Sequence, residues 1–398
     1  MPHLRMLHSF SQRWEDDCVQ YPRHIETIGH AGATAALGAA CRSRNGSSVR
    51  ATSMTGPVKI VVAGAGLIGK RHVEAIAATT GVELHSIVEP SDAGRAYAEM
   101  NGADWYASLT ALFEAGRPDG VILATPNQIH VDNGLECIAA GVPALVEKPL
   151  ATNLAAAAML VDAGEKADVP LLVGHHRRHN PLIAAARKQI TDGLLGTLVA
   201  VHGMFWLMKP DGYFDTDWRR EPGGGPIFLN LIHDIDLLRH LIGEIVSVQA
   251  LTSNAVRGNA VEETAALLFR FENGVLGTFS LSDAIVGPWS WELTASENPA
   301  YPATGQSCYS IGGTHGSMEL PNARIWKNPG QRSWWEPISA THYPVSREDP
   351  LICQMTQFAR VIRGEEQPLV PAREGLKTLQ VIDAVQRSAV SGQTVTLP

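Results

Sequence analysis

The chain has 398 residues, enough for two domains, and its 45% hydrophobic and 18% charged residues are the composition of a globular protein with a substantial core. A formal net charge of −8, with no extended basic patch, argues against nucleic acid as a main partner. The cysteines at 18, 41, 137, 308 and 353 show no C-x-x-C or paired spacing, and no apolar run reaches membrane-span length, so a zinc ribbon, a disulfide framework and a membrane anchor are not supported.

Residues 1–53 lack strand–helix alternation and are rich in Ser, Arg, His, Ala and Gly. The small-residue run Gly29–Cys41 has few large apolar side chains, and Glu15, Asp16 and Asp17 sit where a transit peptide avoids acids. This segment reads as a disordered extension, or as sequence upstream of a working start at Met54, with a targeting segment as the alternative. A reducing, cytoplasmic setting is expected.

The first clear strand, Val58–Val62, runs into Gly64-x-Gly66-x-x-Gly69, and Lys70–Ala78 reads as a helix. That order is what a dinucleotide site needs. Gly64 permits the tight turn, Gly66 lets the backbone approach a pyrophosphate, and Gly69 lets helix and strand pack closely. Leu67 and Ile68 complete the loop beneath the phosphates, which sit over the helix N-terminus. A second strand, Val82–Val88, ends at Glu89, 20 residues after Gly69. A carboxylate there accepts hydrogen bonds from a ribose and repels a 2′-phosphate, so NAD is expected over NADP.

Strands at Gly120–Ala124, Ala144–Glu147 and Leu171–Gly174 continue the pattern, with helices at Val131–Ala140 and Leu154–Ala163. The alternation predicts an α/β domain with a parallel sheet over residues 54–178. Loops after the strands carry Thr125-Pro126-Asn127, Glu147-Lys148-Pro149 and His175–Pro181. In an open α/β sheet such loops face one crevice.

From Pro181 the pattern changes. A helix (Leu182–Asp192) and a strand (Leu198–Trp206) lead to a loop from Lys209 to Gly225, rich in Trp, Asp, Arg and Gly, and then to an apolar helix, Pro226–Ile242. Val246–Thr252, Glu263–Phe271, Val275–Ser282 and Trp289–Ser296 are predicted antiparallel strands, with a hairpin turn at Asn273-Gly274. Helices around Pro350–Ile362 and Glu374–Ser388 close the chain. Residues 179–398 are thus expected to form an α+β domain that binds substrate and mediates assembly.

Two positions suit hydride-transfer chemistry, which needs a proton acceptor and a group to stabilise charge on oxygen. Lys148, at a strand end and followed by proline, can reach the crevice. His233 lies on the apolar helix with Asn230 and Asp236 at three-residue spacing, and imidazole accepts a proton near neutral pH. An ordinary surface lysine and a satisfied core histidine are the competing readings. At His175–Asn180, Arg177 or Arg178 would hold a substrate carboxylate, or pair with acids of the second domain. No metal site is expected, because His175, His176 and His179 have no convergent Cys or carboxylate motif. Trp206, Trp218, Trp289 and Trp291 are candidates for stacking a ring, or for packing and interface roles, and Trp218 is the best placed.

These motifs together resemble the Gfo/Idh/MocA family, the group of glucose–fructose oxidoreductase and inositol dehydrogenase. The marks are Gly64-x-Gly66-x-x-Gly69 with His72, Ala124-Thr-Pro-Asn127 with His130, Glu147-Lys148-Pro149, and Gly223-Gly-Gly225 leading to His233-x-x-Asp236. The resemblance covers the chain from about Val58 onward. It implies a Rossmann domain followed by a domain with an open, mostly antiparallel sheet that pairs with another subunit, giving a homodimer or homotetramer. It also implies NAD(P)-dependent redox chemistry on a hydroxyl or ketone of sugars, polyols and related cyclic compounds, with Lys148 and His233 as the active-site pair. On this reading Gly64, Gly66, Leu67, Ile68, Gly69, Glu89, Thr125, Pro126, Asn127, His130, Glu147 and Lys148 bind the cofactor. His176, Arg177, Trp218, Asn230, His233 and Asp234 meet the substrate.

One departure stands out. The family often has an aspartate four residues before the histidine, where this chain has Leu229. Asn230 offers hydrogen bonds but no base, so His233 works without that partner or uses Asp234 or Asp236. Two other readings stay open: an NAD-sensing regulator without turnover, and a redox-neutral enzyme with tightly held NAD.

Overall fold

The structure is a computed structural model that describes residues 56–398, Val345 and Arg347 excepted. The extension expected over residues 1–53 lies outside the described residues.

Alternating strands and helices run β1 (Val58–Ala63), α1 (Leu67–Ala78), β2 (Val82–Val88), α2 (Asp92–Met100), β3 (Asp104–Tyr106), α3 (Leu109–Ala115), β4 (Gly120–Leu123), α4 (His130–Ala139), β5 (Ala144–Val146), α5 (Leu154–Ala167) and β6 (Leu171–Val173). The strands form one parallel sheet in the order β3-β2-β1-β4-β5-β6. Both faces are covered, which is why β4, β5 and β6 are apolar at every position rather than at alternate ones. The chain leaves β1 toward β2 on one side and returns to β4 on the other. A crevice therefore opens at the carboxyl ends of β1 and β4, where the glycine loop lies.

The second layer starts with α6 (Pro181–Thr191), capped by Asn180, and β7 (Leu198–Trp206). Then come α7 (Ile232–Leu241), β8 (Ile245–Ser253), β9 (Thr264–Phe271), β10 (Leu276–Ser282), the one-turn helix α8 (Trp291–Thr294), β11 (Tyr309–Gly313), β12 (Ser317–Leu320), β13 (Arg324–Lys327) and β14 (Ser339–His342). After α9 (Pro350–Ile362) and α10 (Ala372–Ser391), β15 (Val395–Thr396) closes the chain. The nine-stranded sheet has the order β14-β13-β12-β11-β7-β10-β9-β8-β15. It is antiparallel throughout except between β7 and β10. β9 alternates buried and exposed residues strictly, so one face packs on helices and the other is open.

Two expectations change. Trp289–Ser296 is not a strand. Trp206 N–H donates to Trp289 O (2.9 Å), and Ser290 then caps α8 by accepting from Leu293 N–H (3.3 Å), which ends the extended run. The helix expected over Pro226–Ile242 begins as a π-turn, Ile227–Leu231, before becoming α7.

The last two helices tie the layers together. Met355, Phe358 and Ala359 of α9 share a core with Val58, Ile60 and Ile87 of the parallel sheet. In α10, Leu376 and Leu379 pack with Val146 and Val173, while Ile382 and Val385 pack with Phe269 and Phe271 of the second sheet.

Candidate active site

At the glycine loop, Gly64 adopts φ +96°, and a Cβ there would lie 2.3 Å from Ala124 O. A Cβ on Gly69 would lie 1.9 Å from Gly64 O, so α1 rests on the loop in a way that only glycine permits. Gly66, in contrast, faces open space. It is the N-cap of α1 with no side chain bonded to the first turn, and that turn holds no acid. The first N–H groups of α1 are thus left for an anion, and these residues fit the pyrophosphate of NAD. Glu89 Oε2 accepts from Ala65 N–H (3.0 Å), which brings the carboxylate to the loop as a ribose acceptor requires.

The β4 and β5 loops are joined by His130. It is fully buried, with Nε2 2.9 Å from Thr125 O and Nδ1 2.8 Å from Pro149 O. Thr125 donates to Asn133 Oδ1 (3.1 Å), Pro126 precedes a short helical turn, and Asn127 opens that turn. His130 therefore bridges the two loops, with a carbonyl of each beside one ring nitrogen. Glu147 is similar. Its Oε1 lies 2.8 Å from His72 Nε2, and its Oε2 accepts from Lys148 N–H (3.1 Å). Burial alone would raise the Glu147 carboxyl, but the hydrogen bond and charge of His72, helped by Lys148, hold it down at about 2.

Lys148 is half-buried, and its Nζ donates to the main-chain oxygen of Leu229 (3.1 Å). A backbone carbonyl of the π-turn thus takes the ammonium at the position where the resemblance implies an aspartate. Burial lowers the Lys148 pKa from the ordinary lysine range; Arg177 and Lys209 add to this, and Glu147 and Glu292 oppose it. His233 is 8% exposed, and its Nδ1 is buried without a partner. Its ring lies edge-on to His176 (5.3 Å between centroids) and His175 (6.0 Å). Burial first, then Lys148 and Arg177, push its pKa well below the ordinary histidine range. That direction favours the neutral imidazole, the form with a free acceptor nitrogen.

A cavity of about 190 Å³ is lined by Ile68, His176, Arg177, His233, Glu292 and Glu297, among others. It joins the cofactor loop to the histidine. Arg177 donates to Asp234 Oδ1 (3.0 Å) and Glu292 Oε1 (2.7 Å), and Arg178 binds both oxygens of Asp236 (2.7 Å each). Of the two readings of the arginines, the paired one is observed, and their charges are already met by acids. Asp236 is committed to Arg178 and held below its ordinary value, so it is no substitute base. Asp234 accepts from Arg177 and Tyr309, yet burial pushes its carboxyl up to about 7. Trp218 is 51% exposed and lies in a short turn beside Arg219. Asn230 Oδ1 accepts from Lys209 Nζ (2.9 Å). Among the described residues no group of His, Cys, Asp or Glu could hold a metal ion.

Sequence reading missed Lys209, Glu292 and Glu297. Lys209 read as the start of a loop, and Glu292 fell inside the expected strand. Their one sequence signal is an ionisable residue beside apolar strand ends, which is common on any surface.

Residues 58–175 match the family model described as oxidoreductase family, NAD-binding Rossmann fold, and residues 183–319 match that of the GFO/IDH/MocA C-terminal domain. The chain is 33% identical over 227 residues to the rhizopine catabolism protein MocA of Rhizobium meliloti, spanning 56% of this chain and 70% of that protein. It is 28% identical over 337 residues to the 1,5-anhydro-D-fructose reductase of Ensifer adhaerens, spanning 83% and 96%. An oxidoreductase from Agrobacterium radiobacter, solved with NAD+, L-tartaric acid and magnesium, superposes with a TM-score of 0.73 at 21% identity over 85% of this chain and 98% of its own, a likeness of fold. With both domain models matched in chain order, and with a relative of that identity, the chain belongs to the Gfo/Idh/MocA family of NAD-binding oxidoreductases.

Proposed function

We propose that this protein is an NAD-dependent dehydrogenase acting on a hydroxyl, or in reverse a ketone, of a sugar, polyol, sugar acid or related cyclic compound. The observation that carries the reading is the cavity that places Ile68 of the cofactor loop and His233 on one wall system. When bound, NAD supplies the hydride acceptor at its nicotinamide. Gly64, Gly66, Leu67, Ile68, Gly69, Glu89, Thr125, Pro126 and Asn127 hold it, with His130 and Glu147 fixing the loops around it. His233 accepts the hydroxyl proton at Nε2, the ring nitrogen that is not shut off from the cavity, and the Lys148 ammonium stabilises the charge that develops on that oxygen. His176 and Arg177 line the substrate side, and we assign Asn230, Asp234 and Trp218 to it with them.

We assign residues 54–178 to the cofactor domain and residues 179–398 to a substrate-binding and oligomerisation domain. The open face of the second sheet, where Leu251, Leu268 and Leu276 are exposed, supports a homodimer or homotetramer. A cytoplasmic location accords with NAD as a freely exchanging cosubstrate. Among the described residues no helix is long and apolar enough to cross a membrane.

The test is a screen of polyols, sugar acids and cyclic diols with NAD, followed by NADH absorbance. Steady turnover with free NAD supports the reading; no turnover, or a single burst from retained cofactor, removes it in favour of a sensor or a redox-neutral enzyme. On a substrate so found, Lys148→Met and His233→Ala should each cut kcat at least about 100-fold, with NADH binding near normal and NADH preferred over NADPH. Full activity of His233→Ala across pH would move the proton role elsewhere.

A further inference from the structure

The π-turn before α7 is served by two lysines that reach it from different layers. Lys148, after β5, donates to Leu229 O (3.1 Å). Lys209, just beyond β7, donates to the side chain of the next residue, Asn230 Oδ1 (2.9 Å). An ammonium has only donors, so the Asn230 atom facing it must be the oxygen, and the amide nitrogen points the other way. That nitrogen donates to no described residue. π-turns break the regular helical ladder and leave carbonyls free, and they recur at functional sites.

Lys209 is held tightly for a lysine. It is 7% exposed. Its Nζ lies 3.1 Å from Asp283 Oδ2 and 4.9 Å from the centre of the Tyr213 ring, and its own N–H donates to Asp283 O (2.9 Å). Arg257 brackets the same acid, donating to Asp283 Oδ1 (2.6 Å) and Asp283 O (2.7 Å). A buried charge network of this kind is seldom the cheapest way to pack a loop, because apolar side chains of equal volume do as well or better. It has instead the form of a support for one polar group at a fixed place.

We propose that Lys209 is a second lysine of this site, a positioning residue that holds the Asn230 amide at the π-turn and so fixes the carbonyl on which Lys148 is anchored. The inference deepens the dehydrogenase reading and rests on it for the identity of the site. The free Asn230 nitrogen is then a donor for a substrate oxygen beside the Lys148 ammonium. The charged groups around Lys148 are Glu147 on its own loop, Arg177 and His176 after β6, Glu292 of α8, His233 of α7, and Lys209. Around Lys209 they are Asp283, Glu292 and Arg257. Lys209 lowers the Lys148 pKa as a like charge, so its removal is read as a rise in that pKa, while the coupling of Lys209 and Asn230 reads its positioning role.

The experiment uses full-length protein with NADH and lysine labelled with 13C at Cε, the Lys148 signal being identified by its loss in Lys148→Arg. In Lys209→Met the Lys148 titration should move to higher pH, and in Lys209→Arg, which keeps the charge, it should stay near wild type. With a substrate from the screen, Lys209→Met and Asn230→Ala should each raise KM roughly tenfold, and the double variant no more than either. An unmoved Lys148 titration in Lys209→Met, or losses that add in the double variant, overturns the proposal. If Lys209→Met does not fold, the same titration in Lys209→Gln decides. Failure of the screen would remove the dehydrogenase reading while the titration still judges Lys209.

Discussion

Glu147, assigned to the cofactor site, also holds the loop that carries Lys148. Its side chain is buried against His72 and the Lys148 amide, and a Cβ on Gly174 would lie 2.8 Å from its carboxyl carbon. It can fix the Lys148 backbone without touching a ligand. Its carboxyl sits at about 2, below the usual carboxylate range. A depressed folded-state value means that the stabilisation is present above the unfolded-state value and is lost as pH falls toward 2. Glu147→Gln should therefore lower the melting midpoint at neutral pH by several degrees, and the gap to wild type should narrow from about pH 4 and close only as pH nears 2. Thermal unfolding across pH measures this. A gap that stays constant from neutral to acid would mean that the Glu147 charge contributes nothing. The pair was only half legible in the sequence: His72 and Glu147 stood in the motifs, but nothing in their spacing brings residues 75 positions apart into one hydrogen bond.

Among the elements, the turn between β1 and α1 was the most legible, because its chemistry is local. Three glycines, a preceding apolar strand and a following helix specify the backbone almost without help from the rest of the chain. Gly69→Ala tests that claim. Its methyl would meet Gly64 O at 1.9 Å, so α1 must lift from the loop. We expect NADH affinity to fall at least about tenfold, with stability lowered by about 1–3 kcal/mol. Unchanged affinity in a calorimetric titration would show that the loop yields without cost. The π-turn and α8 were not legible for the opposite reason. Ile227–Leu231 is apolar enough for any buried helix, and what bends it lies far off in sequence: Glu262 Oε1 accepts from Ile227 N–H (3.0 Å), and Lys148 and Lys209 take up Leu229 and Asn230. Trp289–Ser296 has aromatic and apolar residues at strand-like spacing, but Ser290 caps a helix there, and a cap outweighs alternation over so short a run.

At the scale of the molecule, the alternation of strands and helices gave the parallel sheet, while the width of the second sheet was hidden. β11 to β15 are two to five residues long, too short to show a period. β7 gives β11 an edge to pair with, β12, β13 and β14 each add to the strand before, and β15 pairs with β8 at the opposite edge. The result is a broad sheet with helices on one face. On the other face Thr278 pairs with Leu268 and His202, and Leu276 pairs with Ala200 and Arg270. Leu251, Leu268 and Leu276 all stand more than half exposed on it. Three exposed leucines among His202, Arg270 and Thr278 make a mixed face suited to self-pairing, and we propose that a second copy of the same face covers it with two-fold symmetry. Leu268 lies between the other two leucines, on β9 flanked by β10 and β8. Leu268→Glu would put a carboxylate against its own symmetry neighbourhood, where burial without a partner costs several kcal/mol. Light scattering should therefore find wild type as a dimer or tetramer and Leu268→Glu at a smaller mass, with NADH binding retained because the glycine loop belongs to the other sheet. A monomeric wild type, or an unchanged mass in the variant, would mean that the sheet face does not carry the assembly.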